Sequence, residues 1–264
     1  MFNKILSLYR FLFARKSFYL LNKALYLMSL RGLGILNYES NKVSGETYFL
    51  NSFLGEHRDK RAIIFDVGAN VGNYSKEVLS ISPNSIVFAF EPHPLNYKKL
   101  LNNIGANNNF FCFNVGVGDL NGEISLYDYA DNDGSSHASL YKGVIEDIHK
   151  GKAIEHKVKI IKLSNFVLEH SIDYIDLLKI DTEGHEMQVL LGLKDFILEG
   201  KMGAIHFEFN EMNVISRVFL KDYFDLLSNY NFYRLLPNAM LPIKHYNARD
   251  CEIFAYQNIV AIKK

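Results

Sequence analysis

Apolar and polar positions along the chain predict two N-terminal helices followed by strands alternating with helices. Asn3, Ser7, Arg10 and Ser17 recur at helical spacing, with Phe2, Ile5, Leu6, Leu8, Tyr9, Leu12 and Phe13 broadly opposite them. A second helix is expected from about Ser17 to Arg31, ended by Gly32 and Gly34. A polar lead-in, Asn37 to Arg58, then precedes a short apolar run, Ala62 to Phe65. Helix 74–81 stops at Ser82-Pro83-Asn84, and Ile86 to Phe90 is a continuous apolar strand of the kind buried in parallel sheets. Pro94 opens a helix to about Ile104; Phe110 to Val115 is the third strand, and Gly116 to Asp119 a turn. Glu123 to Tyr129 and Val158 to Leu163 are β-like runs flanking the polar loop DNDGSSHASL, and Ser164 to His170 is a short helix. Ile175 to Ile180 is the fourth strand of the βα series. A helix with Met187, Leu190, Leu191 and Phe196 on its apolar side follows it. Ala204 to Phe209 is the fifth, and after a helix from about Ser216 to Ser228 two runs, Asn231 to Leu236 and Glu252 to Ile262, close the sheet as an antiparallel pair. The pattern is α/β, with helices 1–58 as an appendage and 59–264 as one doubly wound domain.

The first strand ends in Asp66 and runs into Gly68, Asn70 and Gly72. Glycines at a strand-to-helix turn let the backbone bend sharply and approach a ligand where a Cβ would obstruct it. The spacing separates the nucleotide-binding families. A dinucleotide fingerprint needs glycines at the first, third and sixth positions, where this chain has Gly68, Asn70 and Asn73; the Gly-Lys-Ser/Thr ending of a P-loop is absent. Acid-x-Gly-x-Asn-x-Gly is instead similar to the first motif of class I S-adenosylmethionine (SAM) methyltransferases.

Glu91 ends the second strand, 23 residues after Gly68, where a carboxylate can accept hydrogen bonds from both hydroxyls of a ribose. Asp181, Thr182, Glu183 and Gly184 end the fourth strand, followed by His185 and Glu186. In an open α/β sheet this strand end faces the switch-point crevice beside the first strand. His185, whose unperturbed pKa is about 6.5, is the candidate base for removing a hydroxyl proton; Asp181 and Glu183 either orient it or act as the base themselves. Asp181 with Glu208 could supply hard oxygen ligands to Mg²⁺, but no compact ligand motif supports a metal and none is assigned.

Net charge is zero over 264 residues, so nothing global points to nucleic acid. The balance conceals an asymmetry. Residues 1–38 hold Lys4, Arg10, Arg15, Lys16, Lys23 and Arg31 and no acid, leaving 23 basic and 29 acidic residues to the remainder. These charges interrupt every apolar stretch well short of the ~18–20 residues that cross a bilayer. Two roles stay open for residues 1–36: a cap on the domain or on a second subunit, or peripheral contact with an anionic membrane. The only two cysteines, Cys112 and Cys251, form neither a zinc set nor a disulfide framework. The expected location is the cytoplasm, with a peripheral position at the inner membrane face open through residues 1–36.

The runs DVGANVGNYS, FEPHPLNY, NVGVGD, GSSHASL, LLKIDTEGHEMQVLLGL and HFEFN occur in an order that resembles the FkbM-type methyltransferases over about residues 61–210. The resemblance implies a Rossmann-like class I fold with a seven-stranded, mostly parallel sheet and a terminal antiparallel hairpin. It also implies SAM as cofactor and transfer of a methyl group to a hydroxyl of a sugar, surface polysaccharide or related metabolite. By motif, Asp66, Gly68, Asn70, Gly72 and Asn73 would hold the methionine part of SAM, Glu91 the ribose, and Gly116 and Val117 would flank the adenine. Ser164 departs from the Asp that many relatives carry in the segment KLSNFV. The rivals are an NAD-linked oxidoreductase or epimerase, and a non-catalytic scaffold that binds a partner through its N-terminal helices.

Overall fold

A computed structural model describes residues 2–55, 61–135 and 137–264. The expected domain boundary at 58/59 and Ser136 of the GSSHASL run lie outside the described residues. The strands are β1 (Ile63–Val67), β2 (Ile86–Phe90), β3 (Phe110–Phe113), β4 (Gly116–Gly118), β5 (Gly122–Tyr129), β6 (Ala153–Lys162), β7 (Ile175–Ile180), β8 (Met202–Phe209), β9 (Tyr230–Leu236), β10 (Ala239–Ile243) and β11 (Gln257–Lys263).

Eight of them form one sheet in the order β10-β9-β11-β8-β7-β1-β2-β3. The five from β8 to β3 are parallel, and β11 inserts antiparallel between β8 and β9. Strand order reverses between β1 and β7, so the crevice beyond their carboxyl ends is the switch point where doubly wound proteins bind ligands. Apolar strands make this geometry stable because both faces are covered. Phe65, Phe90, Leu178, Ile180 and Phe207 pack on one side with Phe166 and Leu190, and Ile64, Val87, Leu177 and Ala204 on the other with Phe49 and Val78. A second sheet has three strands, β4-β6-β5, and Ser135, Ala138 and Leu140 of the loop after β5 line the crevice.

Several expectations change, among them the helix after β7, which is two, Glu186–Gly192 and Lys194–Leu198, and the last strand, which starts at Gln257 and not at Glu252. The run 37–58 is not merely a polar lead-in: Asn41–Ser44 and Glu46–Gly55 are helices, and Phe49, Leu50 and Leu54 are buried against the sheet. Their spacing of one, four and five residues is the signature of a helix with one apolar side. Gly116–Gly118 is strand β4, paired in parallel with β6, rather than a turn. Ala239–Ile243 adds an eighth, antiparallel strand at the sheet edge beyond the expected seven. The helix expected over 216–228 is two, Met212–Ser216 and Leu220–Leu226.

Helices Phe2–Phe13 and Tyr19–Gly32 form an arm that folds on itself through Tyr9, Phe13 and Phe18, whose successive ring centroids lie 5.0 Å apart. It joins the body near Ile35, which bridges to Gln257, and Leu36, whose N–H donates to the Tyr256 carbonyl at 2.7 Å. No helix among the described residues is long and apolar enough to cross a membrane.

Candidate active site

The glycine turn after β1 is held between its neighbours. The N–H groups of Gly68 and Ala69 both donate to the Phe90 carbonyl, at 3.0 and 3.1 Å. Gly68 has φ +78°, and a Cβ there would overlap the carbonyl oxygen of Asp181, so the close approach of β1 and β7 admits only glycine. Gly72, φ +87°, opens helix Asn73–Ile81 and packs on Leu100 instead of facing a cavity. Asn70 also sits at positive φ, and its N–H donates to Glu91 Oε2 at 2.7 Å. Glu91 Oε1 accepts from the His93 N–H at 2.8 Å, so each carboxylate oxygen keeps a lone pair for a ligand. Burial pushes the Glu91 carboxyl up to about 7, against these two backbone hydrogen bonds.

Two cavities meet at this turn. The first is open to solvent and spans about 640 Å³ counting that opening. Phe90, Pro92, Val115, Gly116 and Val117 give it an apolar end, Glu91 lies beside that end, and Asp181, Glu183 and His185 lie across from it. The second, about 550 Å³, is polar: Asn41, Glu46, Asp66, Asn73, Tyr74 and Lys179 line it. Gly68, Asn70 and Asp181 belong to both and form the wall between them. Asp66 is buried, accepts from Ser75 Oγ at 2.5 Å, and is pushed up to about 6 by burial. Lys179 is an ammonium inside the protein. Its Nζ lies 3.5 Å from Glu46 and 3.9 Å from Asp181 but donates no hydrogen bond among the described residues. Burial pulls its pKa down, yet Asp181, Glu46, Glu208 and Asp66 raise it further, so it stays charged.

The segment after β7 is pinned by Glu186, whose Oε1 accepts from the Thr182 N–H (3.0 Å), the Thr182 hydroxyl (3.1 Å) and the Gly184 N–H (3.0 Å). Gly184, φ +103°, and Glu183, φ +51°, then turn the chain so that Glu183 and His185 face different neighbours. Burial of the His185 ring lowers its pKa to about 4, which leaves a neutral, weakly basic imidazole. Its Nδ1 lies 3.3 Å from the Tyr141 hydroxyl, while Nε2 has no hydrogen-bond partner among the described residues. Neither Asp181 nor Glu183 bonds to it. Glu183 Oε1 instead lies 3.0 Å from Nδ1 of His137, on the loop after β5, and that hydrogen bond raises the His137 pKa. Glu183 Oε2 is buried without a partner among the described residues, and burial raises its carboxyl despite His137.

The loop carrying His137 is tied down at several points. Asp128 accepts from the N–H groups of Gly134 (2.8 Å) and Ser135 (3.0 Å), and the Ser139 hydroxyl donates to the Glu183 carbonyl at 2.8 Å. Beneath it, Asp133 Oδ1 meets Nε2 of both His93 (3.0 Å) and His156 (2.8 Å). These three residues would suit a metal by proximity. However, His93 Nδ1 accepts the Leu95 N–H at 3.3 Å, so the ring proton sits on Nε2 and points at Asp133. The group is a hydrogen-bonded clasp on the loop. Glu208, the other oxygen considered for Mg²⁺, is buried in the sheet, and burial pushes its carboxyl well above the usual range.

Residues 66–233 match the family model for the Methyltransferase FkbM domain. The chain belongs to the FkbM methyltransferase family. The matched stretch begins within β1, just before the glycine turn, and ends within β9. Among curated relatives, the 2-O-methyltransferase NoeI of Sinorhizobium fredii is 24% identical over 67% of this chain and 76% of its own length. AMB antimetabolite synthetase AmbE of Pseudomonas aeruginosa is 30% identical over 52% of this chain but only 8% of its own length. The hexuronic acid methyltransferase AglP of Haloferax volcanii is 25% identical over 52% of each. A methyltransferase of this family and fold implies SAM as the methyl donor.

Within the FkbM domain, the structure gathers Gly68, Asn70, Glu91, Gly116, Val117, Asp181, Glu183 and His185 around the first cavity, and Asp66, Gly68, Asn70, Asn73 and Asp181 around the second. Gly72 lines neither. Sequence reasoning overlooked His137, Tyr141 and Lys179. The first two lie in or just after a loop whose polar composition equally suits solvent. Lys179 did leave a signal: it is the one charge within the run Leu177-Leu178-Lys179-Ile180, and a charge there is buried at a cost unless partnered.

Proposed function

We propose that the chain is a SAM-dependent O-methyltransferase whose acceptor is a hydroxyl of a sugar or related small molecule. The observation that carries this is the pair of cavities joined at Gly68, Asn70 and Asp181, one apolar with a carboxylate at its side, the other polar and charged. SAM has the same division, a flat adenosine at one end and a zwitterionic amino acid at the other. The residues present suit it. Val115, Gly116 and Val117 would flank the adenine, and Glu91 would accept from the ribose hydroxyls. The Lys179 ammonium, which donates no hydrogen bond among the described residues, would meet the α-carboxylate, with Asp66 and Asp181 toward the α-ammonium. SAM, when bound, supplies an activated methyl group on a sulfonium, so the protein's task is chiefly alignment and proton removal.

His137 is the better proton acceptor of the two histidines. It lines neither cavity itself but bonds Glu183, which lines the first. With Nδ1–H donated to Glu183, its Nε2 has no hydrogen-bond partner among the described residues and is assigned to take the hydroxyl proton, with Glu183 stabilising the imidazolium that results. His185 is too weakly basic for that task and is assigned to holding Tyr141 against the cavity wall. The names of NoeI and AglP, a 2-O-methyltransferase and a hexuronic acid methyltransferase, favour a carbohydrate acceptor. The test is transfer of labelled methyl from SAM to a panel of hexose, hexuronate and N-acylhexosamine oligosaccharides, with single-deoxy analogues of each that accepts. Label on one hydroxyl, lost in the matching deoxy sugar, supports the proposal. Label on nitrogen or carbon instead contradicts it.

A further inference from the structure

We infer that the helical arm formed by residues 2–32 docks on an anionic lipid surface. Beyond the contacts between its own two helices, the described residues leave much of the arm's apolar surface uncovered. Phe11, Tyr19, Leu20, Tyr26 and Met28 are all more than half exposed, Leu20 reaching 76%, and within helix Tyr19–Gly32 only Leu30 is buried. Both helices also carry polar positions, such as Asn3, Ser7 and Arg10 in the first and Asn22, Lys23 and Ser29 in the second. The arm therefore presents a large apolar surface edged by polar and basic groups, and apolar surface on this scale marks an interaction site.

Charge selects the occupant. Residues 1–38 carry six basic side chains and no acid. Arg31 is matched by Glu39 in an ion pair, while Lys4, Arg10, Lys16 and Lys23 enter no ion pair with any described residue. A symmetric second arm would set these cations against their own copies. The body of a second molecule, though acidic, offers only scattered apolar side chains, such as Leu168, Leu198, Val214 and Phe219. An anionic bilayer meets both requirements at once, taking the Leu, Phe and Tyr side chains below the headgroups while Lys and Arg stems reach back to the phosphates. The arm leaves the body beside the start of β11, which pairs with Phe209 at the carboxyl end of β8. That is the end of the sheet where both cavities open, so docking brings the lipid surface toward the site.

The experiment is co-sedimentation of the full chain with vesicles of phosphatidylcholine alone or with 30% phosphatidylglycerol, at 0.1 M and 0.5 M salt, alongside light scattering of the free protein. A triple variant, Lys4→Glu, Arg10→Glu and Lys23→Glu, keeps the apolar surface and the FkbM domain. Binding to the phosphatidylglycerol vesicles, weakened at 0.5 M salt and lowered more than 100-fold in the variant, is expected, since each basic residue near the surface contributes about fivefold. Unchanged binding of S-adenosylhomocysteine by the variant shows that its fold is intact. Equal binding to both vesicle types, or a stable dimer that binds neither, would overturn the inference; the second result would assign the arm to a second copy of the chain.

Discussion

Replacing His137 with Ala separates the two histidines of the site. A positioned base contributes about 10²–10⁴-fold to such a step. The His137 side chain is 50% exposed, so water can reach the acceptor hydroxyl in its absence, which places the effect at the low end. We expect kcat to fall about 100-fold, or about 2.7 kcal/mol in the barrier, with S-adenosylhomocysteine affinity within twofold of wild type. His185→Ala should alter kcat far less. The pH profile adds a second readout. Neutral His137 is the active form and Glu183 raises its pKa, so kcat should rise with pH through a limb above 6.5 and then level. Glu183→Gln removes the charge that stabilises the imidazolium, so the limb moves to lower pH and the plateau drops, because the residual base is weaker. The assay is label transfer from SAM at saturating acceptor between pH 5.5 and 9. Near-full kcat in His137→Ala together with loss in His185→Ala would refute the assignment.

Three further outcomes follow from the same geometry. Gly68→Ala puts a side chain at φ +78° against the Asp181 carbonyl, adding about 1–2 kcal/mol of backbone strain before any displacement of β7; calorimetry should show S-adenosylhomocysteine binding weakened at least about tenfold. Lys179→Met should weaken S-adenosylhomocysteine but leave 5′-deoxy-5′-methylthioadenosine, which lacks the amino-acid tail, unchanged; equal losses for both would show that Lys179 only supports the fold. Stability of the free protein should fall as pH rises from about 5 to about 8. Burial raises Asp66 to about 6 and Glu91 and Glu186 to about 7, so over that window the folded state binds more protons than the unfolded state. His149, His185 and His206, all lowered by burial, act in the opposite sense as pH falls below 6.5, but Glu46, Glu183 and Glu208, also raised by burial, add to the acidic groups. A Tm that is higher at pH 8 than at pH 5.5 would contradict this.

The strands that position the site were legible because each is a short apolar run ending in an acid or a glycine. Phe65 into Asp66, Phe90 into Glu91 and Ile180 into Asp181 all read correctly as strands with polar carboxyl ends. What was not legible depends on contacts between distant segments. Helix Glu46–Gly55 buries Phe49 and Leu50 on a sheet formed by residues that follow it, and its polar neighbours hid that periodicity. Strand β4 is three residues with two glycines, extended only because β6 pairs with it from 44 residues away. The same holds for the chemistry. His185 stands two residues from Glu183, yet the turn at Gly184 sends the two apart, and Glu183 finds its histidine 46 positions upstream. Adjacency in sequence paired Glu183 with His185, whereas in the structure Glu183 bonds His137 and His185 meets Tyr141.

The most direct test of the central claim is calorimetric titration of S-adenosylhomocysteine, and separately NAD, into the purified full chain. Micromolar binding of S-adenosylhomocysteine and none of NAD is the predicted result. Binding of NAD with none of S-adenosylhomocysteine would contradict the assignment of the two joined cavities to SAM.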